Sequence, residues 1–155
     1  ISENVMLYGV LTARQNLKFF ADLSGKPCTM DGCRSLLDRV GLDEGVIHSK
    51  VKTFSKGMRQ KLGLAIALLR DTPVIIMDEP TSGLDPKASK DFIDLVLSLK
   101  QSGKTMLIST HDIHRVKDIA DRAGIMRRGK LVAEKTNGEF TTESLQGLYI
   151  QCMND

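Results

Sequence analysis

The sequence predicts an α/β domain, with a doubly wound parallel-sheet layer beside a helical insertion. Three observations carry this expectation. About the first fifty of the 155 residues pattern mostly as helices. The remainder alternates strand and helix, the order that builds a parallel sheet with helical crossovers. The run Val74-Ile75-Ile76-Met77 ends in Asp78-Glu79-Pro80, an apolar stretch closed by two adjacent carboxylates. Such a stretch reads as a buried strand of a parallel sheet.

Each element has its local cause. Thr12 caps a helix through Arg14, Leu17 and Phe20, and Gly25-Lys26-Pro27 ends it. A second helix covers Met30 to Val40, with Leu36, Leu37 and Val40 facing inward, and Gly41 stops it. Residues 42–53 read as polar and irregular. Ser55 caps a third helix to about Leu69, whose apolar positions Leu62, Ala65, Ile66 and Leu69 fall at helical spacing. The acidic strand follows. Pro86 suits the first turn of the next helix, which carries Phe92, Val96 and Leu99 on one face and ends near Gly103. Thr105 to Ser109 is a short strand, expected beside Val74–Met77 in parallel. Without a further strand, this pair would leave an apolar edge and a bare sheet face. His111 opens a loop and short helix to about Ala120. Ala123 to Met126 and Lys130 to Ala133 form two strands joined at Arg128-Gly129, and a tail helix spans Thr142 to Met153.

Composition narrows the function classes. Apolar residues make up 41% and charged residues 26%, ordinary for a soluble domain with a core. A net charge of +3 is too small to imply a nucleic-acid partner, and with no Trp there is no stacking platform for single strands. Cys28, Cys33 and Cys152 make no Cys-x-x-Cys pair, which fits a reducing compartment and argues against a disulfide scaffold or zinc site. No apolar run approaches the roughly 18 residues of a membrane span. No signal peptide is visible. The first residue is Ile1, so the chain is expected to be a piece of something longer.

The chemistry gathers around the acids. Ligands of parallel sheets bind beyond the carboxyl ends of the strands, where Asp78 and Glu79 stand. One acid suits a Mg²⁺ ion held through its water shell, and the next suits a water to be oriented or deprotonated. The run Thr53-Phe54-Ser55-Lys56-Gly57-Met58-Arg59-Gln60-Lys61 opens a long helix; an uncovered helix start of this kind can receive phosphate, the alternative being a plain Ser cap before an amphipathic helix.

With these residues in order, the chain resembles the ATP-binding subunit of an ABC transporter, in the later two-thirds of its nucleotide-binding domain. Phe54-Ser55-Lys56-Gly57-Met58 is similar to the family's signature. Val74 to Asp78 matches its Walker B strand and Glu79 its catalytic glutamate. Ser82-Gly83-Leu84-Asp85 matches the D-loop, and His111 in Ser109-Thr110-His111-Asp112 matches the switch histidine. The resemblance implies a partial P-loop ATPase domain over residues 1–155. About 7–53 would be the helical subdomain, about 54–135 the signature helix, Walker B and switch-histidine core, and about 136–155 the tail.

It also implies roles. Asp78 would hold Mg²⁺ largely through water, with Glu3 as a second ligand by its place five residues before Tyr8, where the family has glutamine. Glu79 would polarise the attacking water, and His111 would contact the γ-phosphate. Ser55 and Gly57 would bind the γ-phosphate of ATP held by a facing subunit in a head-to-tail dimer, and Asp85 would brace that interface. His48 and His114 read as surface residues. ATP and Mg²⁺ are the implied substrate and metal. The partners would be a second ATP-binding subunit and a transmembrane permease, whose coupling helix would meet residues 7–50, with the protein on the cytoplasmic face of the membrane. Two features depart from the family. Met58 replaces a glutamine, and no Gly-x-x-x-x-Gly-Lys-Ser/Thr loop occurs in the 155 residues. The isolated chain is therefore expected to be inactive. The alternatives are an ABC ATPase that works without a permease and a non-catalytic remnant.

Overall fold

A computed structural model describes residues 1–154, which part into two compact units, Ile1–Ser109 and Thr110 onward. In the first unit, helix α1 (Ala13–Leu23) starts from a reciprocal cap. Thr12 Oγ1 accepts from the Gln15 N–H, and Gln15 Oε1 accepts from the Thr12 N–H. Ala13, Leu17 and Ala21 line its buried face at intervals of four. Asn16, fully buried on the same helix, accepts from the Tyr8 N–H and donates to the Tyr8 carbonyl, which ties down the incoming segment. Helix α2 (Met30–Arg39) is capped by Thr29 and stops at Gly41, whose φ of 63° suits a residue without Cβ.

The segment expected to be polar and irregular, residues 42–53, is built otherwise. It forms two 3₁₀ turns, Glu44–His48 and Val51–Thr53, and drives Leu42, Ile47 and Val51 into the core. Their spacing of five and four matches no single regular period, so pattern reading passed over them.

Helix α3 (Lys56–Leu69) packs against α1 and α2, and against α4 (Pro86–Gln101). It therefore buries Leu62, Leu64, Ala65 and Leu68, while Ile66 and Leu69, read at the same helical spacing, are only partly covered. Gly63 lets Val5 lie on the helix, since a Cβ there would meet Val5 Cγ1 at 2.6 Å. Helix α4 turns Phe92, Val96 and Leu99 to the same core.

Strands β1 (Val74–Asp78) and β2 (Thr105–Ser109) run parallel, with Asp78 opposite Ser109, and α4 connects them. Ile75 and Met77 are buried against the helices, but Val74 is 48% and Ile76 62% exposed. The bare face expected from sequence is present, and Leu107 extends it. On the other edge of β1, Ile1 acts as a short ladder. Its amino group donates to the Ile76 carbonyl at 2.7 Å, and its carbonyl accepts from the Asp78 N–H at 2.8 Å.

The second unit holds helix α5 (Ile113–Ile119), an antiparallel hairpin of β3 (Arg122–Arg127) and β4 (Lys130–Thr136), and helix α6 (Thr142–Asn154). Arg128 and Gly129 both take positive φ, the geometry of a tight hairpin turn. Ile125, Phe140 and Leu145 form its core. Among the described residues no helix is long and apolar enough to cross a membrane.

Candidate functional site

The carboxyl end of β1 sets the site. Strand pairing brings Ser109 beside Asp78, and the Ser109 hydroxyl donates a short hydrogen bond to the exposed Asp78 carboxylate. The chain then turns sharply. Glu79 takes φ 45°, a left-handed conformation uncommon for a residue with Cβ. Its N–H donates to the Ser109 carbonyl at 3.0 Å, and its carbonyl accepts from the Ser82 N–H at 3.1 Å. Two backbone bonds thus hold a strained residue next to the strand end. Backbone strain of this kind is concentrated at functional sites.

Glu3 reaches the same corner from the N-terminal segment. Ser82 Oγ donates to Glu3 Oε1 at 2.7 Å, and Lys56 Nζ lies 3.5 Å from that oxygen. The Ser82 hydrogen bond, then the Lys56 ammonium, hold the Glu3 carboxyl below its ordinary 4.5. The link joins the segment before α1, the start of α3 and the turn after β1. The lowered value sets a pH dependence. Stability from this link is fully present above pH 4.5 and is lost as pH falls through the lowered value. Melting temperatures of the wild type and Glu3→Gln should differ near neutrality and converge at the acid end. A difference that stays constant across the range would remove the carboxylate from this role.

Ser55 caps α3, its Oγ accepting from the Met58 N–H at 3.2 Å, and it is exposed at the helix start. Gly57 has a packing reason. A Cβ there would sit 3.2 Å from Ala88 Cβ, so glycine lets the starts of α3 and α4 approach. Asp85 caps α4, its Oδ1 accepting from the Ala88 N–H at 2.9 Å. His111 is exposed in the second unit, ahead of the Asp112 that caps α5. His48 and His114 are exposed too.

Two contributors were not singled out from sequence. Lys56, next to Ser55, bonds Glu3 and lies over Gly83, its Nζ 3.0 Å from where a Cβ on that residue would stand. Gln60 is fully buried and donates through Nε2 to the Glu3 carbonyl at 2.8 Å, while its Oε1 has no protein partner. A polar residue on the apolar side of α3 is the signal that could have found it.

The donor set suits Mg²⁺ as that ion is usually held, by one or two carboxylates with water and phosphate supplying the rest. Asp78 is exposed and oriented by Ser109. Glu3 meets Ser82 and Lys56 through Oε1, which leaves Oε2 as the oxygen that would face an ion. Among the described residues no group of three or more acidic, His or Cys side chains could hold a metal alone.

Known proteins share this sequence pattern and fold. A family model described as "AAA domain, putative AbiEii toxin, Type IV TA system" matches residues 42–114. The chain is 43% identical over 135 residues to the uncharacterized ABC transporter ATP-binding protein YdbJ of Bacillus subtilis, covering 86% of this chain and 43% of that protein. It is 37% identical over 135 residues to the lantibiotic transport ATP-binding protein SrtF of Streptococcus pyogenes, covering 87% of this chain and 58% of that protein. Among solved structures, the dimeric ATP-binding cassette MJ0796 bound to ADP and Pi superimposes with a TM-score of 0.72 at 26% identity, over 86% of this chain and 60% of that one. The chain thus spans about half the length of the curated relatives it matches.

Proposed function

We propose, from the premise that this chain belongs to the ABC ATPase family as part of its ATP-binding domain, that the whole protein hydrolyses ATP to power transport through a membrane permease. The observation that carries this reading is the corner where Asp78, Glu79, Ser82 and Glu3 meet beside Ser109, on the same unit as the Ser55-capped helix. Asp78 would hold Mg²⁺, which, when bound, neutralises phosphate charge. Glu79 would orient a water and take its proton. His111 would contact the phosphate being cleaved. Ser55 and Gly57 would meet ATP held by a second subunit, with Asp85 at that interface. Residues 7–50 would receive the permease, and its identity would set the cargo.

A second reading, an ABC ATPase working without a permease, has one observation in its favour. The matching family model is named for a toxin system and not for transport. Affinity purification of the full-length protein from detergent-solubilised membranes separates the two. Recovery of a multi-spanning membrane protein in fixed ratio is the expected result. Recovery of soluble partners alone would favour the second reading.

The shared-site geometry has its own test. In a dimer carrying Ser55→Ala in one subunit, only the site that this Ser55 completes should be lost. Trapped-nucleotide counting should then find one disabled site of the two. Loss of the site formed by the mutant subunit's own Asp78 and Glu79, with the opposite one intact, would overturn the head-to-tail assignment.

A further inference from the structure

We propose that Cys28 and Cys33 form a reversible dithiol–disulfide pair that clamps the start of α2, a modification site apart from the nucleotide chemistry. Helix capping brings them together. Thr29 is the cap of α2, so Cys28 precedes the cap and Cys33 is the fourth helical residue. Side chains at these two positions meet across a helix start, usually as an aliphatic staple. Here both are thiols, and their sulfurs lie 2.7 Å apart. Aliphatic residues would serve the staple as well, but they could not cross-link it. The four intervening residues make this a Cys-x₄-Cys spacing, which a search for Cys-x-x-Cys pairs does not detect.

Access orders the chemistry. Cys33 is buried, 1% exposed, while Cys28 is partly open to solvent. Burial first, and the Cys28 hydrogen bond second, push the Cys33 thiol up to about 12. A small oxidant therefore meets Cys28. With a low-molecular-weight disulfide as oxidant, the Cys28 thiolate attacks one of its sulfurs and forms a mixed disulfide. One small thiol leaves, taking up the proton that Cys28 released. Cys33 then gives up its proton and attacks the Cys28 sulfur, closing the internal bond, and the second small thiol leaves with that proton. Two protein thiols lose two electrons and two protons, and one small disulfide becomes two thiols. The first step also removes the Cys28 thiol hydrogen bond that raised Cys33. Arg14 and Lys18 favour the Cys33 thiolate in the second step.

The test uses the full chain with oxidised glutathione, then alkylation and peptide mapping. The peptide holding both cysteines should lose two hydrogen masses and carry no label, while Cys152 is alkylated. Free thiols should fall from three to one, and dithiothreitol should restore all three. Cys33→Ser should stop at a glutathione adduct on Cys28, and Cys28→Ser should leave Cys33 unmodified. Three labelled cysteines at every glutathione ratio would overturn the proposal. So would a persistent adduct on wild-type Cys28 or a link between two chains. The wild-type map decides even if a variant fails to fold.

Discussion

Replacing Glu79 by glutamine in the full-length protein should lower ATP turnover by about 10²–10⁴-fold, the usual share of a positioned acid or base, and leave ATP binding intact. The Glu79 backbone is held by its N–H to the Ser109 carbonyl and by its carbonyl to the Ser82 N–H, two bonds that the substitution leaves in place. Glutamine has nearly the same shape and accepts the same left-handed φ with the same strain. It cannot take a proton, and it lacks the charge that orients water. Binding of a second ATP-loaded subunit does not require that proton transfer, so ATP-bound dimers should accumulate. Phosphate release and size-exclusion chromatography with Mg-ATP measure both effects. Wild-type turnover in the variant would remove Glu79 from the proposed role.

The isolated 155-residue chain should bind Mg-ATP no better than about millimolar, worth roughly 4 kcal/mol. Triphosphate binding in P-loop enzymes rests on a ring of backbone amides and a lysine at the β and γ phosphates. No Gly-x-x-x-x-Gly-Lys-Ser/Thr segment is present in this sequence. The groups at the corner are the wrong sign for an anion. Asp78, Glu79 and Glu3 are carboxylates, and the nearby Lys56 is already paired with Glu3. The Ser55-capped start of α3 offers amides from one side only. Calorimetry with Mg-ATP on the chain is decisive. Micromolar affinity, or steady phosphate release that disappears in Glu79→Gln, would show that these residues suffice without the loop.

Much of the secondary structure was legible because its causes are local. Thr12 and Ser55, the two caps read from sequence, each accept from an N–H three residues on, a bond that needs no other part of the chain; Thr29 and Asp85, not read as caps, do the same. The strand bounds Val74–Asp78 and Thr105–Ser109 were likewise readable from short apolar runs ended by polar residues. The acids at the end of β1 could be placed for the same reason.

Only the tertiary structure decided what meets what. Val74 to Met77 look alike in sequence, yet Ile75 and Met77 are covered and Val74 and Ile76 are not, because helices pack on one face of the β1–β2 pair. Glu3 bonds Ser82 across 79 positions and Lys56 across 53. Gly57 lies against Ala88, and buried Gln60 bonds the Glu3 carbonyl. Leu42, Ile47 and Val51 enter the core through 3₁₀ turns that follow no single period. A cap or a strand run is settled by neighbours within a turn of chain. These contacts depend on chain closure over tens of residues, which periodicity does not encode.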